Sequence, residues 1–259
     1  MTGEPRAAVL YGCGLNCDRE TAYAFTLAGA RAERVHANAL LAHPERLLQY
    51  DIFTIPGGFS HGDSLGAGKV LAIDLRHRLG EALQEFIDDG RPVLGICNGF
   101  QVLVKAGMIP DLRGSREQEV ALTYNAQGRF EDRGVRLEAG PVDSLFLPGI
   151  QYLDLPVRHG EGNFQAPPEI LGLLEREQMV ALRYVGPHGE HDPSYPANPN
   201  GSARAIAGIT NARGNVFGMM PHPEGFWSRQ QHPRWTREEG PEEGDGLLIF
   251  RNAVEYARG

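Results

Sequence analysis

Three groups of residues in this sequence have types and spacings that could do covalent chemistry. The first is Gly95-Ile96-Cys97-Asn98-Gly99, set between an apolar run at 92–96 and an apolar helical pattern that includes Phe100, Val102, Leu103 and Val104. A glycine-X-nucleophile-X-glycine spacing at a strand-to-helix junction is a thiol version of the nucleophile elbow, where the turn is too tight for neighbouring Cβ atoms. A thiol at a helix N-terminus meets unpaired N–H groups and the positive end of the helix dipole, which favour the thiolate, and the Asn98 N–H points where an oxyanion would form. The pentapeptide alone equally suits a small core cysteine, since free cysteines are usually buried.

The second group supplies a base. His222-Pro223-Glu224 follows the apolar run 216–220, and residues two apart at a strand end share a side, so the imidazole and carboxylate can face the elbow together. Thiol, imidazole and carboxylate are then the parts of a nucleophile, base and orienting group, in chain order Cys, His, Glu. The third group is Pro56-Gly57-Gly58-Phe59-Ser60, closing another apolar run. A glycine peptide there can turn its N–H into a concave site as a second oxyanion donor, although by itself Pro-Gly-Gly marks only a turn.

These groups need elements to hold them. Residues 7–11 read as a buried first strand, followed by a helix that Asp18 can cap and Gly29 ends; strands follow at 33–36 and 51–55, with a short helix at 44–48 between them. A helix is expected over 70–89 and a buried strand over 92–96. Strands alternating with helices indicate an α/β fold, a mostly parallel sheet flanked by helices, with ligands at the strands' carboxyl ends. The second half adds β-rich segments at 135–137, 152–157, 179–184, 205–210 and 216–220, and a final helix at 247–256. The polar, Pro/Gly-rich stretches 187–201 and 225–246 read as surface excursions, because strong patterns resume after each. No repeat or internal boundary stands out, so residues 1–259 are expected to form one domain.

Composition narrows the function classes. The chain has 259 residues, and 25 Lys plus Arg against 33 Asp plus Glu give a net charge of −8 with no basic stripe, so nucleic acid is not an expected partner. Apolar runs are strand-sized, and Glu4 and Pro5 stand where a secretory signal would need a basic and then an apolar region, so neither membrane nor export is expected and a cytoplasmic location is. Three cysteines cannot form a disulfide framework. Gly12-X-Gly14-X-X-Cys17 lacks the third glycine of a dinucleotide loop. The segment 63–70 lacks both the first glycine and the Ser/Thr of a phosphate loop, and no zinc-ligand spacing is present. No cofactor or metal is therefore expected in this chain.

Pro56-Gly57-Gly58, the elbow with Gln101 beyond it, and His222-Pro223-Glu224, in this order and at these separations, resemble class I (triad-type) glutamine amidotransferases of flavodoxin-like fold. Residues 56–63, 95–103, 159–164 (HGEGNF), 16–18 (NCD) and 220–224 further resemble the glutaminase subunits of phosphoribosylformylglycinamidine synthases. The resemblance implies that Cys97 attacks the side-chain amide of glutamine, that His222 serves as base and acid, and that Glu224 orients His222. It further implies that Gly58 and Asn98 donate to the oxyanion, and that Gln101 and Gly57 hold the substrate. It also implies that ammonia passes to a synthase subunit that binds ATP and magnesium and converts formylglycinamide ribonucleotide to the amidine in purine biosynthesis, with a small third subunit in some assemblies. Cys13, Gly66 and Gly225 depart from residues common at those family positions, away from the triad. A glutaminase for another synthase, a cysteine peptidase-like hydrolase of the same superfamily and a non-catalytic regulatory subunit are the competing readings.

Overall fold

The computed structural model describes residues 3–237 and 239–259. In chain order its strands are β1 (Arg6–Tyr11), β2 (Arg31–His36), β3 (Ile52–Ile55), β4 (Val93–Ile96), β5 (Ala121–Thr123), β6 (Glu131–Ala139), β7 (Tyr152–His159), β8 (Asn163–Gln165), β9 (Val180–Val185), β10 (Ile206–Thr210) and β11 (Val216–Met219). Among the described residues, nine strands form one sheet in the order β2-β1-β3-β4-β11-β10-β9-β6-β7, and β5 pairs with β8 apart from it. Every pairing from β2 to β11 is parallel, and every pairing from β11 to β7 is antiparallel. The helices are α1 (Asp18–Leu27), α2 (Ala37–Ala42), α3 (Lys69–Asp74), α4 (Gly80–Asp88), α5 (Asn98–Lys105), α6 (Pro168–Arg176) and α7 (Gly246–Arg258). No helix among the described residues is long and apolar enough to cross a membrane.

The central strands β3, β4 and β11 read IFTI, VLGI and VFGM and are buried at every position. Such continuous apolar runs belong to strands covered on both faces, where no solvent side exists to demand alternation. Helix α5 packs across β3, β4 and β11, and α1 packs on β1 and against α7, where Phe25 and Phe250 meet edge to face at 4.9 Å.

Register positions the site. Ile55 of β3 pairs with Gly95 of β4, and Ile96 of β4 pairs with Met219 of β11. Cys97, Gly57 and His222 thus leave the sheet at the same edge from three neighbouring strands, although His222 is remote from Cys97 in sequence.

Several expectations are revised. The helix expected over 70–89 is interrupted: a π-helical segment, Leu75–Leu79, separates α3 from α4 and keeps Leu75 and Leu79 on the buried side. Asp18 does not cap α1; Cys17 holds the cap position, and the Asp18 carboxylate pairs instead with Arg34 of β2. The strand at 135–137 extends over all of β6, whose alternating charged positions conceal it, and α6 was hidden by Pro167-Pro168, with Pro168 opening the helix where its missing N–H costs nothing. The stretch 187–201 is not wholly a surface excursion. Asn198 and Asn200 near its end are buried: the Asn198 amide donates to the Ser202 carbonyl and folds the stretch on itself, and the Asn200 amide donates to the Gly162 carbonyl in the loop after β7. Position 238 of the other stretch lies outside the described residues.

Candidate active site

Cys97 stands at φ 51°, ψ −103°, between the end of β4 and the first residue of α5. A non-glycine residue there carries strain on the order of 1–3 kcal/mol, which persists only if the surroundings over-determine it. They do: the Cys97 N–H donates to the Met219 carbonyl at 2.7 Å, and the helix start lies directly on β3. A Cβ on Gly99 would sit 1.8 Å from the Ile55 carbonyl oxygen, and one on Gly95 would sit 2.8 Å from the Gly99 carbonyl oxygen. Only glycines permit that approach, so the elbow's sequence pattern has a steric cause. The thiol lies 3.7 Å from the Arg158 carbonyl oxygen and borders a cavity of about 410 Å³.

His222 and Glu224 lie on the same cavity, both buried, with His222 Nδ1 and Glu224 Oε1 2.5 Å apart. Strand alternation does not align them, because β11 ends at Met219. A tight 3₁₀ turn, Pro223–Gly225, folds the carboxylate back onto the ring, and the His222 N–H is fixed on the Pro156 carbonyl at 2.8 Å. Burial alone would lower the His222 pKa, but the Glu224 carboxylate and the thiols of Cys97 and Cys17 outweigh it and hold it well above the usual imidazole value. Nε2 is buried. An imidazolium held beside a thiol is the arrangement that favours thiolate attack.

The Gly57–Gly58 turn closes the site from β3. The N–H groups of Asn16 and Cys17 donate to the Gly57 carbonyl and the Phe59 N–H to that of Gly14, leaving the Gly58 N–H out of the bonds that join the two loops. A Cβ on Gly57 would lie 2.6 Å from His222 Cε1, so this position must be glycine for the ring to take its place. Asn98 is the first residue of α5, where helix N–H groups lack intrahelical partners. Its side-chain oxygen accepts from the Ser60 N–H at 3.2 Å, locking the glycine turn to the elbow.

Gln101 is placed behind the cavity rather than on it. Its amide oxygen accepts from Asn98 Nδ2 at 3.0 Å and its amide nitrogen donates to the Glu161 carbonyl, so it joins the elbow to the loop after β7. That loop is fixed further by a buried polar network. His159 Nδ1 is paired with Asn125 Oδ1 at 3.1 Å, and Asn200 Nδ2 donates to the Gly162 carbonyl at 2.8 Å. Burial, reinforced by the nearby His222 charge, lowers the His159 pKa to about 3, so this imidazole is neutral.

Sequence reasoning missed the far wall of the cavity, which carries Asp132, Arg158 and Phe130. Asp132 and Arg158 are register partners on β6 and β7. A carboxylate and a guanidinium side by side match the two charges of an α-amino acid. Nothing in the local sequence marks them, because only the register in which β6 pairs with β7 brings them together. Cys17, Asn16 and Glu20, which also line the cavity, carried no chemical signal of their own.

Residues 4–257 match the model of the CobB/CobQ-like glutamine amidotransferase domain. The chain is 47% identical over 254 residues to the phosphoribosylformylglycinamidine synthase subunit PurQ of Dehalococcoides mccartyi, covering 98% of each chain. To the subunit of that name from Archaeoglobus fulgidus it is 38% identical over 270 residues, covering 98% of this chain and 97% of that one. Among solved structures, PurLQS from Thermotoga maritima includes a chain that superposes with a TM-score of 0.75 at 30% identity, covering 98% of this chain and 99% of that chain. A glutamine amidotransferase from Thermotoga maritima, at 15% identity, a TM-score of 0.55 and 99% coverage of each chain, shares the fold.

Proposed function

From the premise that the chain belongs to the CobB/CobQ-like glutamine amidotransferase family, we propose that it is the glutaminase subunit of a phosphoribosylformylglycinamidine synthase. It hydrolyses glutamine to glutamate and delivers ammonia for purine biosynthesis. The observation that carries this reading is the convergence of Cys97, His222 and Glu224 at one sheet edge, on one cavity.

In the proposed reaction, Cys97 Sγ attacks the side-chain carbonyl carbon of glutamine. The backbone N–H groups of Gly58 and Asn98 hold the resulting oxyanion. His222 then gives its proton to the departing nitrogen, ammonia leaves, and a γ-glutamyl thioester remains on Cys97. Water, deprotonated by His222, attacks the thioester and releases glutamate. Glu224 keeps the ring in line by accepting from Nδ1. Arg158 and Asp132 suit the α-carboxylate and α-ammonium of the substrate. Gly57 admits the His222 ring, and Gln101 holds the elbow and the loop of Glu161 together, so we assign both to positioning. We read residues 1–259 as a single domain, a reading supported by the one sheet that runs through both halves.

Ammonia must reach its acceptor unprotonated, so a synthase partner is required. Relatives that carry the synthase-subunit name and the PurLQS structure of Thermotoga maritima support such an assembly, including a third subunit. We place ATP, magnesium and the ribonucleotide on the synthase, with no cofactor resident in this chain. The test is reconstitution: this chain, the synthase subunit, formylglycinamide ribonucleotide, ATP and glutamine should yield amidine product. Cys97→Ala should abolish glutamine-dependent synthesis while leaving synthesis from added ammonia intact. Equal glutamine-dependent rates with Cys97→Ala would reject the assignment.

A further inference from the structure

We propose that Cys17, His222 and Glu224 form a capture site for a thiophilic divalent cation of the zinc class. Each offers one ligand atom, and the thiol sulfur, a ring nitrogen and a carboxylate oxygen all lie within 4.8 Å of one another. Zinc bonds to sulfur, nitrogen and oxygen are about 2.0–2.3 Å long, so ligand atoms around a tetrahedral ion stand roughly 3.3–3.8 Å apart. Small side-chain rotations close that difference.

The site contains unmet demand. Glu224 Oε2 is buried and has no hydrogen-bond partner. Buried polar atoms without partners are costly, and a cation that bonds to such lone pairs removes the cost. The backbone holds the ligands in place: the Cys17 N–H donates to the Gly57 carbonyl at 3.2 Å, and Gly57, lacking a side chain, leaves room between the Cys17 thiol and the ring. All three side chains border the catalytic cavity, so a water molecule has access to the fourth position. Binding converts the Cys17 S–H to a metal thiolate and releases its proton, and protonated His222 likewise gives its proton to solvent as it becomes a ligand.

Such a cation is not a participant in glutamine hydrolysis. It occupies the imidazole that the reaction needs for proton transfer, so its arrival switches the centre off and chelation restores it. This consequence rests on the catalytic roles proposed above; the binding itself does not.

The experiment uses the purified full chain with cobalt(II) as a coloured reporter and zinc(II) as competitor. One equivalent of cobalt should give a thiolate-to-metal charge-transfer band that zinc bleaches. The band should persist in Cys13→Ser, vanish in Cys17→Ser, and require about tenfold more cobalt in Glu224→Gln. Against misfolding of a variant, wild-type protein supplies a second readout: one equivalent of zinc should slow alkylation of Cys17 by about tenfold while the exposed Cys13 reacts unchanged. A charge-transfer band that survives Cys17→Ser, or Cys17 alkylation indifferent to zinc, would overturn the proposal. Neither readout depends on glutaminase activity, so failure here is separable from failure of the functional assignment.

Discussion

His222 is the residue on which the site's charge state turns. Its pKa is raised because the Glu224 carboxylate and the neighbouring thiols overcome the effect of burial. A base whose folded pKa exceeds its unfolded value near 6.5 stabilises the fold fully below that value, and the contribution is lost as pH rises through the folded pKa. Glu224→Gln removes the principal stabilising charge. The stability gap between wild type and this variant should therefore be widest near pH 6 and narrow toward alkaline pH, as read by urea unfolding at a series of pH values. Glutaminase turnover in the assembled complex should fall by about 10²-fold or more, because the neutral amide no longer orients the imidazole or supports its positive form. A gap constant with pH would mean that Glu224 acts on packing alone.

At the scale of elements, the elbow depends on how closely α5 approaches β3. In Gly99→Ala the new Cβ meets backbone, 1.8 Å from the Ile55 carbonyl oxygen, which cannot move without breaking the sheet edge. The expected cost is about 1–3 kcal/mol of unfolding free energy, accompanied by loss of activity. Gly172, inside α6, gives the opposite sign. A Cβ there meets nothing within 4 Å, so Gly172→Ala should stabilise by about 0.5–1 kcal/mol through helix propensity, with activity unchanged. Denaturant melts of both variants check the pair.

Across the whole molecule, the antiparallel half of the sheet serves the parallel half through the loop after β7. His159 anchors that loop as a neutral, buried ring with a pKa near 3. Its folded pKa lies below the unfolded value, so the unfolded chain takes up a proton first as pH falls. Stability should then drop between pH 6.5 and 3, by up to about 1.4 kcal/mol per pH unit from this residue. His159→Asn should flatten that acid limb while lowering stability at neutral pH, measurable by thermal melts over the same range. The end of β7 that leads into this loop brings the Arg158 carbonyl to the nucleophile, and the exposed rings of Phe59 and Phe130 stand at the cavity beside it. A partner that settles this rim should raise turnover; glutamate release by the isolated chain is expected to be weak and to increase by about tenfold or more when the synthase subunit is added.

The elbow, the strand-and-helix alternation of the first half and the Cys, His and Glu that carry the proposed chemistry are legible in the linear chain, because each rests on short-range sterics, periodicity or a local motif. Gly95 records the closeness of α5 to β4 and Gly99 its closeness to β3, and β3, β4 and β11 announce full burial in four residues each. Local patterns could not reveal the π-helical interruption at Leu75–Leu79, the full length of β6 or the role of Asn200, which depend on neighbours distant in the chain. It takes the folded chain to set β11 beside β4, to fold Glu224 onto His222 by a turn rather than by strand alternation, and to bring Cys17 into the same cavity. Strand pairing is selected by contacts summed over the whole sheet, and no single segment of sequence contains that sum.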